Sequence, residues 1–214
     1  MAKPCVPRLL LATTFNMEQM TVMRDETITS LLGELELPAD HAGKAIDLLG
    51  AVESRFTRDL KLNLKAVLKS QHIDPKGSAL IALSVAINQK NGPLIAFFTD
   101  LAKKEGASEA EIAEMAAVAG MMATNNVLYR FRHFSGKTKY NELRAGLRMN
   151  SMMSPVTGKE FFELLSLVIS AVNGCEQCVK SHEASLIGMG TTEERIFDAV
   201  RIASVIAGLD RIVH

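Results

Sequence analysis

The chain has 214 residues, and its 24 Lys+Arg balance its 24 Asp+Glu, so there is no net charge with which to hold a polyanion. Nucleic-acid binding is therefore not expected. With 48% hydrophobic and 22% charged residues the composition is that of a folding chain, and the length suits one compact domain of about 150 residues with an appended segment.

The apolar set is rich in Ala, Leu and eleven Met, whereas aromatics make up 5% and Trp is absent. That balance favours helices over a β-sandwich or barrel, and predicts an all-α fold. The apolar run from Val6 to Phe15 is interrupted by Arg8 and is too short for a bilayer, which takes about 20 apolar residues. No convincing cleavage site follows it, so the expectation is a cytoplasmic protein without a membrane span. Three cysteines make no disulfide framework and point to redox or metal chemistry.

Residues 1–36 read as a loosely attached N-terminal extension containing a weak helical segment around Thr27 to Leu35, and Pro38 marks the boundary of a helical domain over 37–214. Ala45, Leu48, Leu49, Val52 and Phe56 recur at helical spacing, as do Leu60, Leu64, Val67 and Leu68. Asp74-Pro75-Lys76-Gly77 reads as a stop and turn before helices over 78–89, 93–105 and 108–125. Pro93 suits a first helical position, and Ser108 with Glu111 forms a capping box. The methionines at 121, 122, 149, 152 and 153 read as core filler between helices.

The chain repeats itself over about 78–126 and 159–210. Asn91-Gly92 precedes Asn173-Gly174 by 82 residues, and after a two-residue slip Gly106, Glu109 and Ile112 match Gly190, Glu193 and Ile196 at 84. The expected architecture is a duplicated three-helix unit whose copies cover each other's apolar faces. At the 82-residue offset, Glu163, Cys175, Cys178 and His182 stand against Ile81, Pro93, Ala96 and Asp100, so the chemistry belongs to the second copy.

Asn173 is predicted to cap a helix from Gly174 to about Ile187, which puts Cys175 in the first turn, where the helix dipole lowers a thiol's pKa. Cys178 and His182 follow on the same face. Glu163 lies within the apolar stretch 161–169 and needs a donor, for which His182 is the candidate. A carboxylate orienting an imidazole that activates a thiol is the logic of a catalytic relay. The same four residues also fit a zinc-binding structural module, and the dithiol alone fits a non-catalytic redox sensor.

Glu163, eleven residues, Cys175-x-x-Cys178, three residues and His182 together resemble the signature of the alkyl hydroperoxidase D family, within the carboxymuconolactone decarboxylase-like superfamily. The stretches Asn125 to Arg130 and Leu143 to Asn150 are similar to the segment joining the family's two halves. The resemblance covers Ala45 onward. It implies a homotrimer of all-helical subunits that reduces alkyl hydroperoxides, or regenerates a peroxiredoxin of the alkyl hydroperoxide reductase C type. Electrons would come from a dihydrolipoamide group on a lipoylated acyltransferase, with no bound cofactor or metal. It also implies that Cys178 meets peroxide, Cys175 resolves, and Glu163 and His182 relay protons. The dipole argument instead favours Cys175 as the more acidic thiol. Family members often carry histidine immediately before the second cysteine, where this chain has Gln177, a side chain that hydrogen-bonds but does not titrate.

Overall fold

A computed structural model describes residues 26–52 and 54–214. Its regular elements are α1 (Glu26–Glu34), α2 (Lys44–Gly50), α3 (Arg55–Val67), α4 (Pro75–Gln89), α5 (Gly92–Lys104), α6 (Glu109–Ser135), α7 (Thr138–Glu142), a 3₁₀ turn (Asn150–Met153), α8 (Lys159–Val172), α9 (Glu176–Gly188) and α10 (Glu193–Asp210). No strand occurs among the described residues, as the composition predicts.

Two nearly all-apolar helices make the centre. Residues 77–86 of α4 and 164–170 of α8 are buried throughout, and the two helices pack on each other, on α6 and on α10. A helix apolar on every side has no solvent face, so amphipathic neighbours must enclose it. Of the hydroxyls buried with them, Ser84 donates to the Ile81 carbonyl and Ser166 to the Phe162 carbonyl, both at 2.8 Å, while Ser170 is bonded by Asn126 of α6 and the Ser78 hydroxyl has no partner among the described residues.

The repeat has one constant offset. α8, α9 and α10 begin 84 residues after α4, α5 and α6, and the turns agree in detail. After α4 the Asn91 N–H donates to the Ala86 carbonyl and the Lys90 N–H to Ile87; after α8 the Cys175 N–H donates to Ser170 and the Gly174 N–H to Ala171. Both turns pass through a left-handed residue, Lys90 at φ 62° and Gly174 at φ 69°. The predicted 82-residue alignment is therefore corrected. Cys175 corresponds to Asn91, Cys178 to Leu94, His182 to Phe98 and Glu163 to Ala79; all four first-copy residues are buried, three of them in the apolar core and Asn91 as the hydrogen-bonded cap of α5. The sequence comparison had paired two Asn-Gly steps that do different work.

Four other expectations change. Asp74 to Gly77 is a helix start, since Asp74 caps α4 by accepting the Gly77 N–H at 2.8 Å, with Pro75 in the first turn. The Ala45 to Phe56 pattern is split between α2 and α3, with Leu48, Val52 and Phe56 exposed. α6 runs ten residues beyond the expected end at Asn125, and Gly136 in the left-handed region stops it. Residues 26–36 also hold a core helix: Ile28, Leu31, Leu32 and Leu35 are each 1% exposed, and α1 packs on α3. The rest of the expected extension, 1–25, lies outside the described residues.

The capping box at α6 forms as predicted. Ser108 Oγ accepts the Glu111 N–H, and Glu111 in return accepts the Ser108 N–H and a 2.8 Å bond from Lys76. Lys76 and the Ser108 backbone hold the Glu111 carboxyl down to about 2. A carboxylate below its ordinary value of 4.5 stabilises the fold above that pH, and the stabilisation disappears as pH falls toward about 2. Glu111→Gln is therefore expected to cost about 1–2 kcal/mol at pH 7 and to flatten the stability loss between pH 4.5 and 2. Urea unfolding of both proteins across that range checks it.

Candidate active site

The turn between α8 and α9 sets the site. Asn173 ends α8 rather than capping α9, because Gly174 must first take the left-handed conformation that closes α8. Asn173 instead joins a ladder of amides: Asn88 Nδ2 donates to Asn173 Oδ1, Asn173 Nδ2 to Asn126 Oδ1, and Asn126 Nδ2 to Ser170 Oγ, each at 2.9 Å. Arg130 Nη1 donates to the Asn173 carbonyl at 2.6 Å. These bonds tie α4, α6 and α8 beneath the turn, so the backbone that delivers Cys175 is fixed from three sides.

Cys175 becomes the N-cap residue of α9 and Cys178 its third helical residue. The first-turn position thus falls to Cys178, not to Cys175 as the predicted cap implied. No side chain caps this terminus, so the first-turn N–H groups stay available to an anion there. The two cysteines form a disulfide with Cα atoms 5.3 Å apart. Cys175 is 1% exposed and Cys178 6%.

His182, one turn beyond Cys178, meets Glu163 of α8: Nδ1 and Oε2 are 2.5 Å apart, with the side chains 15% and 21% exposed. The carboxylate accepts from Nδ1–H, which leaves Nε2 as the acceptor. All four predicted residues are thus brought to one place, on two adjacent helices. The sulfurs bond each other and the imidazole bonds the carboxylate. Among the described residues no three His, Cys, Asp or Glu side chains converge to hold a metal ion.

A cavity of about 360 Å³ opens on this group. Its walls are Gln177, Cys178, Ser181 and His182 from α9, Asn125 and Tyr129 from α6, and Ala145, Leu147, Met149 and Met152 from the segment before α8. Cys178 faces it and Cys175 is not among its walls. Sequence reasoning had not assigned Tyr129 or the 145–152 wall to the site. Tyr129 lay past the expected end of α6, though it stands four residues after Asn125 on a continuing helix. Met149 is a half-buried cavity wall and Met153 is 74% exposed, so neither is core filler, whereas Met122 is fully buried and Met121 and Met152, the latter also a cavity wall, pack half-buried against the core.

A protein-family model described as the carboxymuconolactone decarboxylase family matches residues 56–133 and 140–214, two segments that also begin 84 residues apart. The chain belongs to the carboxymuconolactone decarboxylase family. It is 43% identical over 162 residues to a protein of Anaeromyxobacter dehalogenans named alkyl hydroperoxide reductase AhpD, an overlap covering 76% of this chain and 87% of the relative. Relatives with the same name are 41% identical in Streptomyces griseus, over 76% of this chain and 91% of the relative, and 38% identical in Coxiella burnetii, over 73% and 90%. The chain is thus an AhpD-type member of the family, and the resemblance read from its motifs holds over most of its length. Among the described residues, no helix is long and apolar enough to cross a membrane.

Proposed function

We propose that this protein is a dithiol peroxidase and disulfide oxidoreductase of the antioxidant type. The observation that carries the reading is the pairing of a Cys175–Cys178 disulfide with the Glu163–His182 couple at one cavity. Relatives named alkyl hydroperoxide reductase AhpD support the substrate class.

In the reduced protein His182 Nε2 takes the Cys178 proton, and Glu163 stabilises the resulting imidazolium. The Cys178 thiolate attacks the outer oxygen of a hydroperoxide, the S–O bond forms as the O–O bond breaks, and the leaving alkoxide takes the proton back from His182. Cys175 then attacks the sulfenic acid, expelling water and leaving the disulfide. Two electrons from an external dithiol restore both thiols by exchange through a mixed disulfide. The place of Cys178, and not Cys175, in the cavity wall and in the first turn of α9 supports Cys178 as the peroxide-facing thiol.

By resemblance, the donor is dihydrolipoamide on a lipoylated acyltransferase, the oxidised partner is a peroxiredoxin of the alkyl hydroperoxide reductase C type, and the assembly is a cytoplasmic homotrimer. The exposed Val127, Phe131 and Phe134 on one face of α6 offer apolar surface for such an assembly to cover. No residue of the chain needs a bound cofactor for this cycle. The test is a coupled assay with dihydrolipoamide and an organic hydroperoxide, with and without peroxiredoxin. Continuous turnover supports the reading; a single oxidation without cycling would make the pair a sensor, and no oxidation with stoichiometric zinc would make it a metal site.

A further inference from the structure

Glu114 of α6 is 8% exposed and takes no part in the thiol chemistry. Its Oε1 accepts the Val156 N–H at 2.7 Å, and its Oε2 accepts the Thr157 N–H at 2.9 Å and the Thr157 hydroxyl at 2.6 Å. Farther along the same helix, Arg132 Nη2 donates to the Leu143 carbonyl at 2.6 Å. The strap 143–157 is thereby fastened to α6 at both ends. Between these bonds it carries Leu147, Met149 and Met152 into the cavity wall opposite the α9 face.

No residue from 143 to 158 is buried, and the strap's packing against the core is through the half-buried Met152. A segment without buried side chains gains little from packing to offset its conformational entropy, so its end bonds decide where it sits. The other half of the repeat provides the contrast. Asp198, 84 residues after Glu114, is 7% exposed and is bonded by Ser70 Oγ at 2.7 Å and Arg201 Nη1 at 2.9 Å. The segment ahead of Ser70 is α3, held by its own buried Leu60, Leu64 and Val67. At the same offset the strap has Arg144, Arg148 and Ser151. Loss of the carboxylate leaves α3 anchored in the first half, but frees a cavity wall in the second.

We propose that Glu114 is a positioning residue that sets which hydroperoxides the site admits, by holding the strap as the apolar wall against which an alkyl or aryl tail packs. This rests on the peroxidase reading. Hydrogen peroxide has no tail and is indifferent to the wall.

Glu114→Gln keeps the side chain's shape but replaces one accepting oxygen by an amide that donates. The expected result is a KM for cumene hydroperoxide raised about tenfold with kcat within about twofold, and kcat/KM for hydrogen peroxide within about twofold. Asp198→Asn, the matched change in the other half, is expected to alter neither substrate. Equal losses on both peroxides, or the same KM change in Asp198→Asn, would overturn the proposal. A second readout needs no peroxide: in the reduced protein, the rate ratio of a bulky maleimide to iodoacetamide at Cys178, followed on the Cys178 peptide by mass, should rise about tenfold in Glu114→Gln. An unchanged ratio would overturn the strap's role. A raised ratio in a protein that reduces no hydroperoxide would sustain the strap and sink the peroxidase reading.

Discussion

Cys178→Ser is expected to lower steady-state hydroperoxide turnover by at least about a thousandfold, because a serine hydroxyl at neutral pH supplies no comparable nucleophile for the O–O bond. Cys175→Ser is expected to abolish steady-state turnover as well, but differently. With Cys178 free at the cavity, the first peroxide is still reduced, giving one equivalent of alcohol and a sulfenic acid with no resolving thiol beside it. The two variants therefore separate in a single-turnover experiment: Cys175→Ser shows a burst and a sulfenic acid that a dimedone-type probe traps, and Cys178→Ser shows neither. The reverse pattern would assign the peroxide step to Cys175, against the geometry in which Cys178 lines the cavity and Cys175, 1% exposed, does not.

The juxtaposition of the four candidate residues was legible because it is local. Cys175, Cys178 and His182 lie within eight residues, and Glu163 is a carboxylate within the largely apolar stretch 161–169, a placement that demands a partner. Helix type was equally legible from period and composition. What escaped the sequence depends on contacts between distant segments. α1 is set apart by Pro38, so nothing local shows that Ile28 and Leu32 reach the core. The strap has no apolar period, since the positions that anchor α3 are Arg144, Arg148 and Ser151 here, and its place follows from a carboxylate about forty residues away. Asn173 misled for a related reason: an Asn before Gly suits a helix start as well as a helix end. The amide ladder to Asn88 and Asn126 that settles the matter lies outside any sequence window.

Glu163→Gln is expected to slow the reaction of Cys178 with hydroperoxide by about a hundredfold while leaving the fold intact. The amide matches the carboxylate in size, so the partly buried contact with His182 is not left as a void. It carries no charge to stabilise an imidazolium, however, and its NH₂ competes to donate to Nδ1, which would turn the proton acceptor away from the cavity. His182→Gln removes the proton carrier itself and is expected to cost somewhat more. The decisive comparison is the double variant. If Glu163 acts only through His182, the double variant loses no more rate than His182→Gln alone, a non-additivity that independent residues would not show. Losses that multiply would mean that the carboxylate reaches the reacting atoms by another route. Stopped-flow oxidation of the reduced proteins, with melting temperatures measured alongside, separates that outcome from simple loss of stability.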